Sequence, residues 1–271
     1  MPASVEGIFP ITFPYVGTSK LQAQWWNDII ACSEQSTDCY LWKKETNQWD
    51  NFPSLTYIHG QGSMSVIGSK VIVIGGEDII GSIHGQVEIY DRTQGQWILG
   101  PPLAPIRRIH TTVVFNDSLI VVGGYNGNMI TSVKILDLHT LSWKDLDDLP
   151  IGRCEMPCNV INNNYILCIG GEEPGTMAQS ALGLDMSLSN PVWEMKPMYD
   201  LDEPVRTGFI FHLNEYLFCM TLRKANYESA RTLRRMNLTK ENPTWEVLAS
   251  YPDSSFVHVS PYVFTLYKIQ T

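Results

Sequence analysis

Short apolar runs separated by polar turns repeat along this 271-residue chain at a nearly constant interval. VIVI, LIVV and YILCI each run into a glycine pair, Gly75-Gly76, Gly123-Gly124 and Gly170-Gly171, at spacings of 48 and 47 residues. Consecutive apolar residues rich in β-branched types, bounded by turn signals, predict strands covered on both faces. A variable loop follows each pair, then a second strand-like run ending in Tyr90-Asp91, Leu136-Asp137 or Leu184-Asp185. A tryptophan comes next. It recurs at Trp49, Trp97, Trp143, Trp193 and Trp245, spaced by 48, 46, 50 and 52 residues.

One period resolves into four strands: HTTVVF, a turn at Asn116-Asp117-Ser118, then LIVV, SVKILD and LSWKDL, called a to d. Gly, Asn and Asp at the a–b turns supply the backbone freedom tight hairpins need. A period of about 50 residues with strand-sized runs predicts an all-β fold, a β-propeller of four-stranded antiparallel blades. The segment VIVIGGEDIIGSIHGQVEIYDRTQGQWILGPPL resembles the kelch repeat in full, and the resemblance runs from 57 to about 198, more loosely on both sides. The first repeat has Cys32-Ser33 where the glycines stand, and the fifth has Met220-Thr221. The expected organisation is a single domain over 1–271, with repeats at about 15–55, 56–102, 103–150, 151–198 and 199–250. A sixth blade would use 251–271, with strands near 256–259 and 262–267, completed by residues 1–14 so that no sheet edge stays open.

Composition narrows the function. A net charge of −9, with no Lys/Arg run, argues against general nucleic-acid binding, which needs clustered cations. No stretch of 18 apolar residues occurs, so no membrane-spanning helix is expected. The opening Met1-Pro2-Ala3 lacks a basic start and an apolar core, so no signal peptide is read there.

Ten residues past successive tryptophans lie His59, Arg107, Arg153, Glu203 and Ser255; thirteen past the last two lie Arg206 and His258. In a propeller these d–a connections emerge on one face around the channel. The loops after the glycine pairs open on the same face and bring Glu77, Tyr125 and Glu172 nearby. Converging arginines there could grip carboxylates bidentately. The kelch resemblance implies the same, because kelch domains of ubiquitin-ligase adaptors bind acidic peptide motifs in this way. It points to Arg107, Arg108 and Arg153 as matching positions, with Arg206 a looser match. The competing reading is that these arginines sit at blade boundaries and bond backbone carbonyls. No BTB-like or F-box-like segment accompanies the repeats.

The six histidines, His59, His84, His110, His139, His212 and His258, are scattered and suggest no copper site like that of galactose-oxidase-like proteins. No E-x-x-x-D-x-x-x-H run like that of plant iron-dependent specifier proteins occurs. Sialic-acid-isomerising kelch proteins provide a subtler rival, in which Glu77, Glu172, Arg107, Arg153 and His110 would supply acid–base partners and a carboxylate clamp. Carbohydrate binding on Trp25-Trp26, the aromatic pair outside the repeated position, is a third reading. The expected function is a non-catalytic, monomeric propeller without cofactor that binds a protein or acidic peptide on its loop face.

Cys158 and Cys168 flank the Asn162-Asn163-Asn164 turn symmetrically, so they should face each other across an a–b hairpin, within disulfide reach. IIACSEQSTDCYLW resembles secreted kelch domains in which such a pair, here Cys32 and Cys39, bridges the b–c loop. Cys154 and Cys219 have no evident partner; the alternative is six reduced cysteines filling strands. Cys154-x-x-x-Cys158 lacks the second pair that zinc requires. Asn116-Asp117-Ser118 and Asn237-Leu238-Thr239 are glycosylation sequons on expected turns. The cysteine resemblance and the sequons lean towards an extracellular protein; the missing leader leans inward.

Overall fold

A computed structural model describes residues 21–25, 27–225 and 228–252. Blade 1 consists of β1 (Gln22–Trp25), β2 (Asp28–Cys32), β3 (Cys39–Lys43) and β4 (Gln48–Phe52). Blade 2 has β5 (Ser63–Ile67), β6 (Lys70–Ile74), β7 (Val87–Asp91) and β8 (Gln96–Leu99). Blade 3 has β9 (Thr111–Phe115), β10 (Ser118–Val122), β11 (Val133–Asp137) and β12 (Ser142–Asp145). Blade 4 has β13 (Cys158–Ile161), β14 (Tyr165–Ile169), β17 (Ala181–Asp185) and β18 (Trp193–Met195), with a small hairpin, β15 (Glu172–Glu173) and β16 (Thr176–Met177), in its b–c loop. A 3-10 turn at Pro197–Tyr199 leads to blade 5, made of β19 (Arg206–Leu213), β20 (Tyr216–Ala225), β21 (Glu228–Asn237) and β22 (Trp245–Pro252). Each blade is a four-stranded antiparallel meander, and the innermost strands β1, β5, β9, β13 and β19 touch in succession. That is a propeller.

Burial falls outward along each blade. In blade 3, β10 is buried at four of its five positions, whereas β12 is half-buried to exposed throughout. Strand b reads as a continuous apolar run because blades stack face to face and cover both of its sides. Its residues alternate between neighbours. Val71 and Val73 pack into the seam with blade 1, Ile72 and Ile74 into the seam with blade 3. Leu119 and Val121 join that same seam from the other side, while Ile120 and Val122 face blade 4. Ile166 and Cys168 then face blade 3, and Leu167 and Ile169 face blade 5. The core is therefore a set of seams, in which each buried aliphatic side chain contributes about 1.5–3 kcal/mol.

The periodic tryptophans fasten blade to blade. The indole Nε1 of Trp97 donates to the Pro53 carbonyl at 2.7 Å, Trp143 to Pro101 at 2.9 Å, Trp193 to Asp147 at 3.0 Å and Trp245 to Tyr199 at 3.1 Å. Every acceptor lies just past the outer strand of the preceding blade. Trp25 is 7% exposed and packs against Phe52 and Tyr90, so it belongs to the first seam and offers no sugar platform; Trp26 lies outside the described residues.

The glycine pairs end strand b by turning the chain left-handed. Gly123 and Gly124 have φ of 57° and 110°, and a Cβ on Gly123 would lie 2.2 Å from the Arg153 carbonyl oxygen. Only glycine fits there. Blade 5, with Met220-Thr221 at this place, shows the converse: β20 runs straight through to Ala225 and is ten residues long, against five for β6, β10 and β14. In blade 1 a Cys32–Cys39 disulfide closes the b–c loop instead.

Five blades are described where the repeat count predicts six. The strands expected at 256–259 and 262–267, and the closing segment 1–14, lie outside the described residues. Tyr251 and Pro252, which the spacing gives to the sixth blade, instead end β22 of blade 5. Among the described residues, no helix is long and apolar enough to cross a membrane.

Candidate functional site

The d–a connections of blades 2 to 4 superpose residue for residue: His59-Gly60-Gln61-Gly62, Arg107-Arg108-Ile109-His110 and Arg153-Cys154-Glu155-Met156. The second glycine of each pair donates to the next connection, Gly76 to the Arg107 carbonyl at 2.9 Å and Gly124 to the Arg153 carbonyl at 2.8 Å. Two-bond backbone bridges then pair Gly60 with Glu77, Arg108 with Tyr125 and Cys154 with Glu172. So the expected proximity of Glu77, Tyr125 and Glu172 to these connections holds. At the next position Gln61, Ile109 and Glu155 adopt left-handed φ of 57°, 46° and 51°, and the Ile109 and Glu155 amides donate to the Gln61 and Ile109 carbonyls. This chain of bonds joins three blades along the inner edge.

The first residue of each connection points inward. Arg107 is 0% exposed; its Nη1 donates to the carbonyls of Gly123 and Ser132, both at 2.9 Å, and its Nη2 to Ser132 Oγ at 2.6 Å. Its Nε donates to the Pro105 carbonyl at 3.0 Å. Burial pushes the guanidinium down to about 10, against a weaker opposing pull from Asp148. Arg153, 2% exposed, repeats the arrangement on Gly170 and Ser180 and adds an ion pair with Glu173 at 2.5 Å; burial lowers its pKa too, with Glu173 opposing. His59 is wholly buried, with Nδ1 at 2.6 Å from the Gly75 carbonyl and Nε2 at 3.2 Å from Glu88. Burial alone would raise the Glu88 carboxyl, but His59 and the Thr56 and Tyr57 amides outweigh it and hold it below the usual range.

In blades 2 to 4 an imidazole or guanidinium at the inner end thus bonds the carbonyl that the glycine pair turns away from the sheet ladder. A buried carbonyl without such a partner would be costly. Arg107, Arg153 and His59 are therefore wall residues, and the carboxylate clamp expected of the two arginines, in the peptide-binding and the sialate-type readings alike, loses its cations to the interior. In blade 5 the apolar Val205 takes this position, its carbonyl accepting from Gly171 at 2.9 Å. Arg206 then follows as the first residue of β19, in the register of Arg108. The buried cation of this blade comes from strand c: Arg234, 2% exposed, donates to Thr221 Oγ1 at 2.9 Å and pairs with Glu203 and Asp202. Nothing in the repeat spacing marks Arg234, though an arginine in mid-strand, paired with Cys219 just before the lost glycine pair, is a usable signal.

What reaches the face is the second residue. Arg108 Nη1 lies 3.0 Å from Gln61 Oε1 and 2.9 Å from Glu77 Oε2, with its guanidinium 5.5 Å from the centre of the Tyr125 ring. Arg108, Glu77, Tyr125 and Gln61 form one half-buried cluster across the blade 2–3 seam. His110 is 7% exposed and bonds Ser63 Oγ through Nε2 at 2.9 Å, so it lies beneath this cluster. Glu172 sits two seams on, at the start of β15. His258 and Ser255 lie outside the described residues.

Two and three residues past Glu77, the blade 2 loop carries Ile79 and Ile80 at 74% and 83% exposure. They are held in a fixed turn. The Asp78 side chain accepts from the Ile80 and Ser82 amides at 3.0 and 2.8 Å, and the Gly81 amide donates to the Asp78 carbonyl at 3.0 Å. Ile106, 47% exposed, lies at the base of the loop against Gly85. The pair was legible as two adjacent apolar residues between Asp78 and Gly81, outside any strand.

Both cysteine pairs are bonded: Cys32–Cys39 with Cα atoms 4.0 Å apart and Cys158–Cys168 with Cα atoms 4.1 Å apart, each at a directly paired cross-strand position. Cys154 and Cys219 are buried outside these bonds, Cys154 Sγ against Met129 Sδ at 3.3 Å. Burial pushes the Cys219 thiol up to about 12. Asn116 is exposed in its turn, whereas Asn237 is half-buried and its Oδ1 accepts from the Thr239 amide and hydroxyl.

Comparison with known proteins agrees with this geometry. The kelch motif matches residues 60–104, one blade's length from the blade 2 connection to the end of that repeat. Kelch-like protein 38 of Homo sapiens is 23% identical over 147 residues, covering 52% of this chain and 25% of that protein. Kelch-like protein 15 of Mus musculus is 28% identical over 134 residues, covering 45% of this chain and 22% of that protein. The match thus spans a quarter or less of these relatives' length. The solved structure of YjhT superposes with a TM-score of 0.65 at 13% identity, covering 83% of this chain and 82% of that one, a likeness of fold alone.

Proposed function

We propose that this chain, which carries a kelch motif over residues 60–104 and is similar to Kelch-like proteins, is a non-catalytic binding module that holds a protein partner on the face carrying the b–c loops and d–a connections. The observation that carries the reading is the rigid Ile79–Ile80 knuckle beside the Arg108–Glu77–Tyr125 cluster. Two large apolar side chains fixed in water by the Asp78 turn gain nothing for the fold, and exposed apolar groups rimmed by polar ones mark interaction surfaces. Arginine and tyrosine at the rim add the residue types that dominate interface energies. Because Arg108 is already paired with Glu77, the contact it offers is a mixed ion pair and ring; an exclusively acidic ligand would have to displace Glu77. The similarity to Kelch-like proteins is in keeping with this role.

The test is affinity capture with the purified chain, then quantification of the recovered partner against two variants. Ile80→Asp and Arg108→Ala should each weaken capture by about tenfold or more, the scale of an interface hot spot. Ile80→Asp should also keep the parent melting temperature within the narrow range usual for exposed substitutions. Capture undiminished by both changes would remove this face from consideration.

A further inference from the structure

At the other end of the blades, where the a–b turns lie, blade 4 departs from its own repeat in three places that converge. The first residue of strand b is Lys70 in blade 2 and Ser118 in blade 3, but Tyr165 in blade 4. The third residue of strand c is Ile89 and Ile135 in those blades, but Gly183 in blade 4. The missing side chain makes room for the phenol: a Cβ on Gly183 would fall 1.8 Å from Tyr165 Oη. Between strand d and the next blade, Trp97 precedes Leu103 by 6 residues and Trp143 precedes Leu149 by 6, whereas Trp193 precedes Leu201 by 8. The leucines are equivalent, since each amide bonds the b–c loop of its own blade, Leu103 to Gly85, Leu149 to Thr131 and Leu201 to Gln179. The two extra residues are accommodated in the 3-10 turn Pro197–Tyr199.

Together these changes line a cleft of about 420 Å³ on the flank of blade 4 facing blade 5, with Asn162, Asn164, Tyr165, Asp185, Lys196 and Tyr199 in its walls. That volume suits a small ligand. Tyr199 holds its place because its carbonyl accepts the Trp245 indole. Lys196 Nζ pairs with Glu194 at 2.6 Å and stands 5.6 Å from the centre of the Tyr165 ring, while Asp185 Oδ1 accepts the Ser187 amide and hydroxyl at 2.9 and 2.6 Å and its carboxylate stays negative. Burial pushes both phenols up, so they stay neutral hydroxyls. The Tyr165 hydroxyl is buried and its ring is covered by Lys196, so the cleft offers the Tyr199 ring, amides that donate and accept, an ammonium donor and a carboxylate acceptor, a set that suits a ligand with an apolar face and a rim of hydroxyls. We propose that the blade 4 cleft binds a neutral pyranose sugar, with Lys196, Asp185 and the asparagine amides bonding its hydroxyls and the Tyr199 ring taking its C–H face.

Saturation-transfer NMR on the full chain tests this with glucose, galactose, mannose and N-acetylglucosamine, each supplied separately at millimolar concentration. At least one should receive transfer at its ring protons. Lys196→Met, which removes a charged donor, and Met198→Trp, which fills the mouth of the cleft, should each weaken that sugar's binding about tenfold. Ile80→Asp, on the opposite face, should leave it unchanged. No transfer to any of the four overturns the proposal, as does transfer that survives Lys196→Met. Retention of an N-glycosylated protein, lost when its glycans are removed enzymatically, would identify a glycan end as the source; sugar binding without such retention would identify a free monosaccharide.

Discussion

Removing the Arg107 guanidinium would strand the Gly123 and Ser132 carbonyls where water does not reach. Arg107→Met keeps much of the volume and deletes the donors, so it should cost about 3–5 kcal/mol in a urea titration. That is a large share of the stability of an ordinary domain. A loss no larger than that of an exposed arginine would mean that the carbonyls find other partners. Glu88 makes a prediction about acid. Its pKa is depressed in the fold, so the stability it contributes is complete above the unfolded value and disappears as pH falls through the folded one. Between about pH 4 and pH 2 the parent should therefore lose stability more steeply than Glu88→Gln. Parallel curves in thermal melts across that range would count against it. Adjacent residues explain why this level was only half legible in the chain. Arg107 and Arg108 look alike in sequence, but the inward turn at 107 and the outward turn at 108 are set by the left-handed residue Ile109 and by the bridge to Tyr125. Neither leaves a mark in residue type.

Strand placement was far more legible, because each signal is local. The glycine pairs end β6, β10 and β14, and the Asn and Asp turns stand where hairpins need them. In blades 2 to 5 the c strand closes with a carboxylate or amide that accepts from the turn beyond it: Asp91 from Thr93, Asp137 from His139, Asp185 from Ser187 and Asn237 from Thr239. The last case gives Asn237 a backbone duty that competes with carrying a glycan. The long strands of blade 5 were not legible, since a missing stop signal says nothing about where a strand will end. The cysteines make the element-level forecast. With Cys32–Cys39 and Cys158–Cys168 bonded, alkylation of the unfolded, unreduced protein should label two thiols, and all six after reduction. Each short closed loop should contribute about 2–3 kcal/mol, so reductant should also lower the melting temperature. Six labelled thiols before reduction would reverse the assignment.

At the scale of the molecule, the period of about 50 residues was enough to infer radial blades, because a repeat that cannot bury its own faces must stack on its neighbours. The loop face followed from the same topology. Its chemistry did not: the cations expected there serve the walls, and the apolar knuckle belongs to one blade alone. The alternation along strand b carries a further consequence. Ile166 and Cys168 are shaped to one adjoining sheet, Leu167 and Ile169 to the other. A blade is therefore not an interchangeable cassette. Grafting it between other sheets would leave half its contacts without a fitting counterpart on each side, whereas exchanging only the loop that bears Ile79 and Ile80 would leave both interfaces intact. Whoever wishes to retarget this scaffold should transplant loops and leave the sheets alone.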